Sequence, residues 1–232
     1  MSSDALHAVV TGSSSGIGRA IAESLLATGW RVSGLDVSAP GIVRADFSHV
    51  QVDLAQGDEI ARAAASLGVP DALVHAAGVL RVGPLGQLDL AGGELMWRLH
   101  VDAATRLADA LVPGMAARGS GRVVFVGSRV AQGMPGRGQY AATKAALVAL
   151  ARSWAAEVAD RGVTVNVVSP AATATAMLQD PSRAASAPRL PPIGRLIAPA
   201  EIAGLVGYLL SPIAAAITGQ DIAVCGGSSL PR

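Results

Sequence analysis

The chain has 232 residues, 51% hydrophobic and 15% charged, the proportions of a globular protein whose length suits one domain over 1–232 with one sizeable core. Eighteen basic residues face 17 acidic ones, a formal charge of +1, which argues against a nucleic-acid-binding surface or a polybasic membrane anchor. One cysteine, Cys225, excludes an intrachain disulfide and fits a reducing compartment. In chain order, residues 6–10 are a short apolar run that meets Thr11-Gly12, as a buried strand does. Residues 17–28 have helical spacing at Ile17, Ile21 and Leu25 and stop at Gly29. A strand at 31–35, a brief apolar segment at 50–54, a helix over 58–67 and a strand over 72–75 follow. The spacing then predicts a long helix over 94–118 with Pro113 near its end, a β-branched strand over 123–126 and a helix over 139–160. A strand over 163–168, a Pro-rich loop over 181–199, a helix over 200–210 and a strand over 221–224 complete the pattern.

Strands apolar on both faces, alternating with helices, imply a parallel sheet covered on two sides. Right-handed crossovers make it a doubly wound α/β sheet of Rossmann type, with about seven strands and helices on both faces. The first residues lack the basic and apolar regions of a signal peptide, and no apolar stretch of about 20 residues stands out. The expectation is a cytoplasmic protein with no membrane and no nucleic-acid partner.

Of the 18 basic residues 17 are arginine; Lys144 is the one lysine, and Asn166 the one asparagine. Drift toward Arg and Ala accounts for the general depletion. It leaves the question of what the surviving lysine does, four residues after one of only two tyrosines, in Tyr140-Ala-Ala-Thr-Lys144.

The first strand runs into Thr11-Gly12-Ser13-Ser14-Ser15-Gly16-Ile17-Gly18. Glycines let a backbone turn sharply and approach a phosphate closely, and the following helix aims its amides and positive dipole end at that phosphate. Strand before and helix after make this a dinucleotide site rather than a mere loop. Asp36 closes the second strand, 18 residues after Gly18. A carboxylate there accepts from ribose hydroxyls and repels a 2′-phosphate, and position 15 is Ser rather than a cation, so NAD is expected over NADP. The plainer reading of Asp36 is a turn-initiating residue.

Together, the G-x-x-x-G-x-G turn and Tyr140-x-x-x-Lys144 are where the chain resembles the short-chain dehydrogenase/reductase family, over nearly its full length. The resemblance implies that Gly12, Ser14, Ser15, Gly16, Ile17, Gly18 and Asp36 hold the cofactor. It adds Asp53 and Leu54 beside the adenine, Ala76, Ala77 and Gly78 as the end of an N-N-A-G motif, and Pro170, Thr173 and Thr175 around the nicotinamide. Ser128, 12 residues before Tyr140, looks like the catalytic serine, and the resemblance implies that Lys144 also holds the nicotinamide ribose. The residues themselves agree. Positions i and i+4 of a helix share a face, so Tyr140 and Lys144 can point together into a cleft. A free phenol, with a pKa of about 10, is a poor base at neutral pH, and a neighbouring ammonium favours the phenolate. Tyr140 can then exchange the substrate's proton as hydride moves, while Ser128 steadies the same oxygen.

The chain departs from the family in places. The fourth catalytic residue is usually Asn; that position is His100 here, and His75 stands at the first Asn of N-N-A-G, where it ends an otherwise buried strand and is expected to pack beneath the cofactor site. Three readings of His100 stay open: a passive replacement, a proton relay, since imidazole titrates near neutrality, or a helix-face residue one turn out of register. Only 16 residues separate Asp36 and Asp53, too few for the usual helix between strands two and three, so a loop is expected there. Ala171 follows Pro170 where Gly is usual, and Cys225 stands where Asp is frequent.

The substrate is expected over the nicotinamide, under a loop at about 177–198 that carries Arg183, Arg189 and Arg195. Arg81 and Arg129 are the candidates to clamp a carboxylate. Ala77-Gly-Val-Leu-Arg81, Gly34-Leu-Asp36 and Ile217-Thr-Gly-Gln-Asp-Ile222 resemble dihydro-dihydroxybenzoate dehydrogenases. The expected function is hydride transfer between NAD(H) and a secondary alcohol or ketone, a cyclic hydroxy acid or diol among the candidates. The alternatives are an NADPH-dependent 3-oxoacyl or other carbonyl reductase, and a silent dinucleotide-binding scaffold. No metal site is expected, and the family's helix packing implies a homotetramer.

Overall fold

A computed structural model describes residues 5–179 and 190–230. Among the described residues, seven strands form one parallel sheet: β1 (His7–Thr11), β2 (Arg31–Asp36), β3 (Phe47–Gln51), β4 (Ala72–His75), β5 (Gly121–Val126), β6 (Val163–Pro170) and β7 (Asp221–Val224), in the order β3-β2-β1-β4-β5-β6-β7. The helices are α1 (Gly16–Ala27), α2 (Gly57–Ser66), α3 (Leu90–Trp97), α4 (Ala103–Arg118), α5 (Gly138–Val158) and α6 (Pro199–Leu210). None of the described helices is long and apolar enough to cross a membrane.

Both faces of the sheet are buried because adjacent strand residues point to opposite sides and both are apolar. Val9, Leu73, Val123 and Val167 pack under α2, α4 and α5 with Ile60, Leu107 and Leu147. Their neighbours Val10, Val74, Val124 and Val168 pack under α1 and α6 with Ile21, Leu25, Ile202 and Val206. The strand order reverses between β1 and β4, and the crevice at such a reversal, outside the carboxyl ends of the strands, is where open α/β sheets bind ligands.

Two elements depart from expectation by more than two residues. The third strand covers 47–51 rather than 50–54; as an edge strand it is only half-buried, and the apolar Val52 and Leu54 that drew the reading lie in the following coil, in the core. The long helix begins at Leu90 rather than 94, because Asp89 accepts the Gly92 amide at 2.8 Å and caps a turn that Gly92 and Gly93 disguise as loop. Its middle, Arg98–Asp102, is a π-helical turn between α3 and α4. Residues 37–46 contain no helix, as expected, and Ile42 closes the core beneath them. Of the loops expected at 177–198 and 181–199, the part over 180–189, with Arg183 and Arg189, lies outside the described residues.

Candidate active site

The glycines of the first turn are there for volume. Gly12 has φ +69° and lies so close to the segment leaving β4 that a Cβ would stand 2.9 Å from the Ala77 backbone. A Cβ on Gly18 would run into the Gly12 carbonyl oxygen, and Gly16 has φ +54°. These constraints press the end of β1 against the N-terminus of α1, whose unsatisfied amides face outward past Ser15. Asp36 finishes the wall: its carboxylate accepts the Ser14 amide at 3.0 Å and the Ser38 amide at 2.9 Å. The Ser13 hydroxyl is buried without a hydrogen-bond partner. Glycine-shaped backbone, free helix amides and a fixed carboxylate at the ribose position fit a dinucleotide. Asp53 accepts the Ala55 amide at 2.9 Å and Leu54 is buried, so both also hold the turn into α2.

Ala76, Ala77 and Gly78 leave β4 beside that turn. The amides of Ala76 and Ala77 both donate to Thr11 Oγ1 at 3.0 Å, and the Thr11 hydroxyl meets His75 Nδ1 at 3.0 Å. His75 Nε2 bonds the Leu99 carbonyl at 3.0 Å. Burial first, then the Lys144 charge, push the His75 pKa down to about 3, so the ring is neutral. His75 is buried, in keeping with its place at the end of a buried strand; its bond to Thr11, 64 positions away, leaves no local signal.

A cleft of about 740 Å³ opens at the carboxyl end of the sheet. It brings together Ile17, Ala76, Gly78, His100, Ser128, Tyr140, Lys144, Pro170, Thr173 and Thr175 of the expected set. Ser128 is buried, and its oxygen accepts the Val130 amide at 3.2 Å, leaving its hydrogen to donate into the cleft. Lys144 is 5% exposed; its ammonium donates to the Val126 carbonyl at 2.9 Å and lies 5.7 Å from the Tyr140 ring centre. Burial lowers the Lys144 pKa to about 7. A phenol, a buried ammonium and a hydroxyl donor around one cavity can move a proton to or from an oxygen and stabilise charge on it.

His100 is fully buried in the π-turn, which disposes of the out-of-register reading. Its Nε2 accepts the Val79 amide at 3.1 Å, its Nδ1 lies 2.8 Å from Thr143 Oγ1, and its ring meets that of Tyr140 edge-on at 5.6 Å. Of the two arginines, Arg129 lines the cleft but Arg81 does not. The Arg81 amide is held by Met96 Sδ and its guanidinium turns back to the Leu80 carbonyl, so Leu80 takes the wall position. Sequence reasoning missed Thr143 and Arg137, which also reaches the cleft; the helical position of Thr143 beside Lys144 was the available signal. Among the described residues no acidic side chain lines the cleft and no cluster could hold a metal ion.

A family profile described as enoyl-(acyl carrier protein) reductase matches residues 12–229. The 3-oxoacyl-(acyl-carrier-protein) reductase of Vibrio cholerae is 36% identical over 234 residues, covering 95% of this chain and 96% of that protein. A solved short chain dehydrogenase/reductase family protein superposes with a TM-score of 0.89 at 37% identity, over 98% of both chains. An actinorhodin polyketide ketoreductase variant solved with NADPH superposes at 0.90 and 28% identity over the whole of both chains.

Proposed function

The chain belongs to the short-chain dehydrogenase/reductase family, an oxidoreductase acting on carbonyl or hydroxyl groups with a nicotinamide cofactor, and we propose that it reduces the 3-oxo group of an acyl thioester or a closely related ketone. The observation that carries this is the convergence of Ser128, Tyr140 and the buried Lys144 on one cleft beside the glycine turn. The names of its relatives, a 3-oxoacyl reductase and a polyketide ketoreductase, support the substrate class. So does the cleft's apolar wall of Leu80, Met134, Leu178 and Leu190, which suits an acyl chain.

In this reading Ser128 donates to the substrate carbonyl oxygen and holds it beside Tyr140. The bound nicotinamide supplies the hydride. Tyr140 gives its proton to the oxygen, and the Lys144 ammonium stabilises the phenolate left behind. Gly12, Gly16, Gly18 and the N-terminus of α1 would hold the pyrophosphate, Asp53 and Leu54 would flank the adenine, and Ala76, Ala77, Gly78, Pro170, Thr173 and Thr175 would shape the nicotinamide end.

The finer cofactor reading is NADH. Both Asp36 oxygens already accept backbone amides, which fixes a negative charge where a 2′-phosphate would sit, and Ser15 offers no cation. The NADPH in the related ketoreductase structure argues the other way. Arg129 and Arg137 on the same wall favour a second reading, a substrate bearing a carboxylate, such as a cyclic hydroxy acid. We also read the protein as a cytoplasmic homotetramer: Ala142, Ala145, Ala149 and Ala156 leave an exposed small-residue stripe along α5, as a helix seated on a second copy requires.

Turnover of an acetoacetyl thioester, followed by loss of dihydronicotinamide absorbance with each cofactor, tests the proposal. NADH should be preferred, and Asp36→Ser should shift the NADH/NADPH ratio of kcat/KM by roughly tenfold toward NADPH. Cofactor binding without turnover of thioesters, ketones or hydroxy acids would overturn the enzymatic reading, and light scattering checks the tetramer.

A further inference from the structure

His100 sits where three segments meet: the strand-end loop of Gly78 and Val79, the π-turn of the long helix, and the first turns of α5. A Cβ on Gly78 would stand 2.6 Å from His100 Nε2, so the imidazole occupies the space that glycine leaves. The hydrogens around the ring can be assigned one by one. Val79 N–H can only donate, so Nε2 is the unprotonated nitrogen. Thr143 has one hydroxyl hydrogen and gives it to the Tyr140 carbonyl at 2.8 Å. Nδ1 therefore carries the ring hydrogen and donates to Thr143 Oγ1 at 2.8 Å. A second ring proton would set N–H against N–H at Val79.

We propose that His100 and Thr143 are a positioning pair, in which one fixed imidazole tautomer joins the cofactor-facing loop at Val79 to the helix turn that carries Tyr140, and that His100 exchanges no proton during the reaction. The ring's two ends then do separate jobs. The Nε2 end holds the loop whose Gly78 lines the cleft. The Nδ1 end, through Thr143, holds the Tyr140 backbone, while the ring edge packs on the Tyr140 ring. The titratable groups facing His100 are Lys144 and Tyr140 on α5 and His75 on β4; burial first, and then the Lys144 charge, oppose a second proton on the ring.

The turnover arm rests on the proposed reductase reading; the binding and spectroscopic arms do not. Asn places an N–H near the Nδ1 position and Gln places an oxygen near Nε2. His100→Asn should keep kcat within about threefold and raise the cofactor Kd about tenfold, whereas His100→Gln should keep the Kd and lower kcat about tenfold. Thr143→Val should behave like His100→Gln and Thr143→Ser like the parent, which keeps the test alive should a His100 variant not fold. In the parent, nitrogen–proton correlation spectra should show His100 protonated at Nδ1 alone from about pH 6 to 9. Equal losses in both constants for both His100 variants, a limb missing from either pH–rate profile, or a His100 ring that titrates in that range would overturn the pair. If nothing is turned over, the Kd changes and the tautomer still decide it, while the reductase reading falls alone.

Discussion

On the β1–α1 side of the site, the groups offered to a ligand are backbone amides brought out by glycines; on the β5–α5 side they are side chains, and Ser128, Thr143 and Lys144 are buried there. The first wall is limited by volume, since a single Cβ collides with main chain. The second is limited by charge, since its cation has been drawn out of water with a carbonyl, not a carboxylate, as partner. A change of pH should therefore act on one wall and a change of size on the other.

The largest expected effect is at the charge-limited wall. Lys144→Met should cut kcat by roughly a thousandfold yet raise stability by about 1–3 kcal/mol, because it removes a buried ammonium. Burial holds the folded pKa near 7, below the usual 10.5. The unfolded chain therefore binds more protons between those values, and the stability gap between variant and parent should be widest below pH 7 and shrink as pH rises. Urea unfolding across pH checks both sign and trend; a variant less stable at pH 6 would break the contrast.

Gly18→Ala comes next. Its Cβ meets the Gly12 carbonyl, which should weaken cofactor binding and cost about 2 kcal/mol of stability, both independent of pH. Calorimetric binding at pH 6 and 9 separates it from the lysine variant.

The last effect needs no substitution: it comes from two rings set behind the walls, His75 at the end of β4 and His100 in the π-turn. His75 and His100 are buried neutral, with pKa values below the usual 6.5, so their unfolded forms take up protons first as pH falls. Stability should be full above pH 6.5 and decline below it, by up to about 1.4 kcal/mol per pH unit for each ring. Unfolding midpoints at pH 7 and 5 measure the decline; no decline would mean that the rings are charged or exposed.

The two walls were also unequally legible in the sequence. Gly12, Gly16 and Gly18 are local: strand, turn and helix follow within a dozen residues, so spacing alone reveals the backbone wall. Tyr140 and Lys144 share one helix face and were equally readable. The links that set them in place were not, because His100 reaches Thr143 across 43 positions and Thr11 reaches His75 across 64. The π-turn has no hydropathy pattern of its own, and nothing in the sequence around Arg81 shows that its guanidinium turns back to the Leu80 carbonyl. The alternation of apolar strands and helices carried the sheet. Its edge strand was misplaced because a half-buried strand has a weaker apolar signature than the coil that enters the core behind it.

The one asparagine has a consequence of a different kind. Asn166 lies buried in β6, donating to the Ile217 carbonyl at 2.7 Å and accepting the Gln220 amide at 3.1 Å. Spontaneous loss of its side-chain ammonia needs attack by the next backbone nitrogen, and the Val167 N–H is tied to the Gln220 carbonyl at 2.8 Å. Asparagine is among the residues through which proteins age chemically in heat. In this chain, that clock cannot start until the β6–β7 edge has come apart.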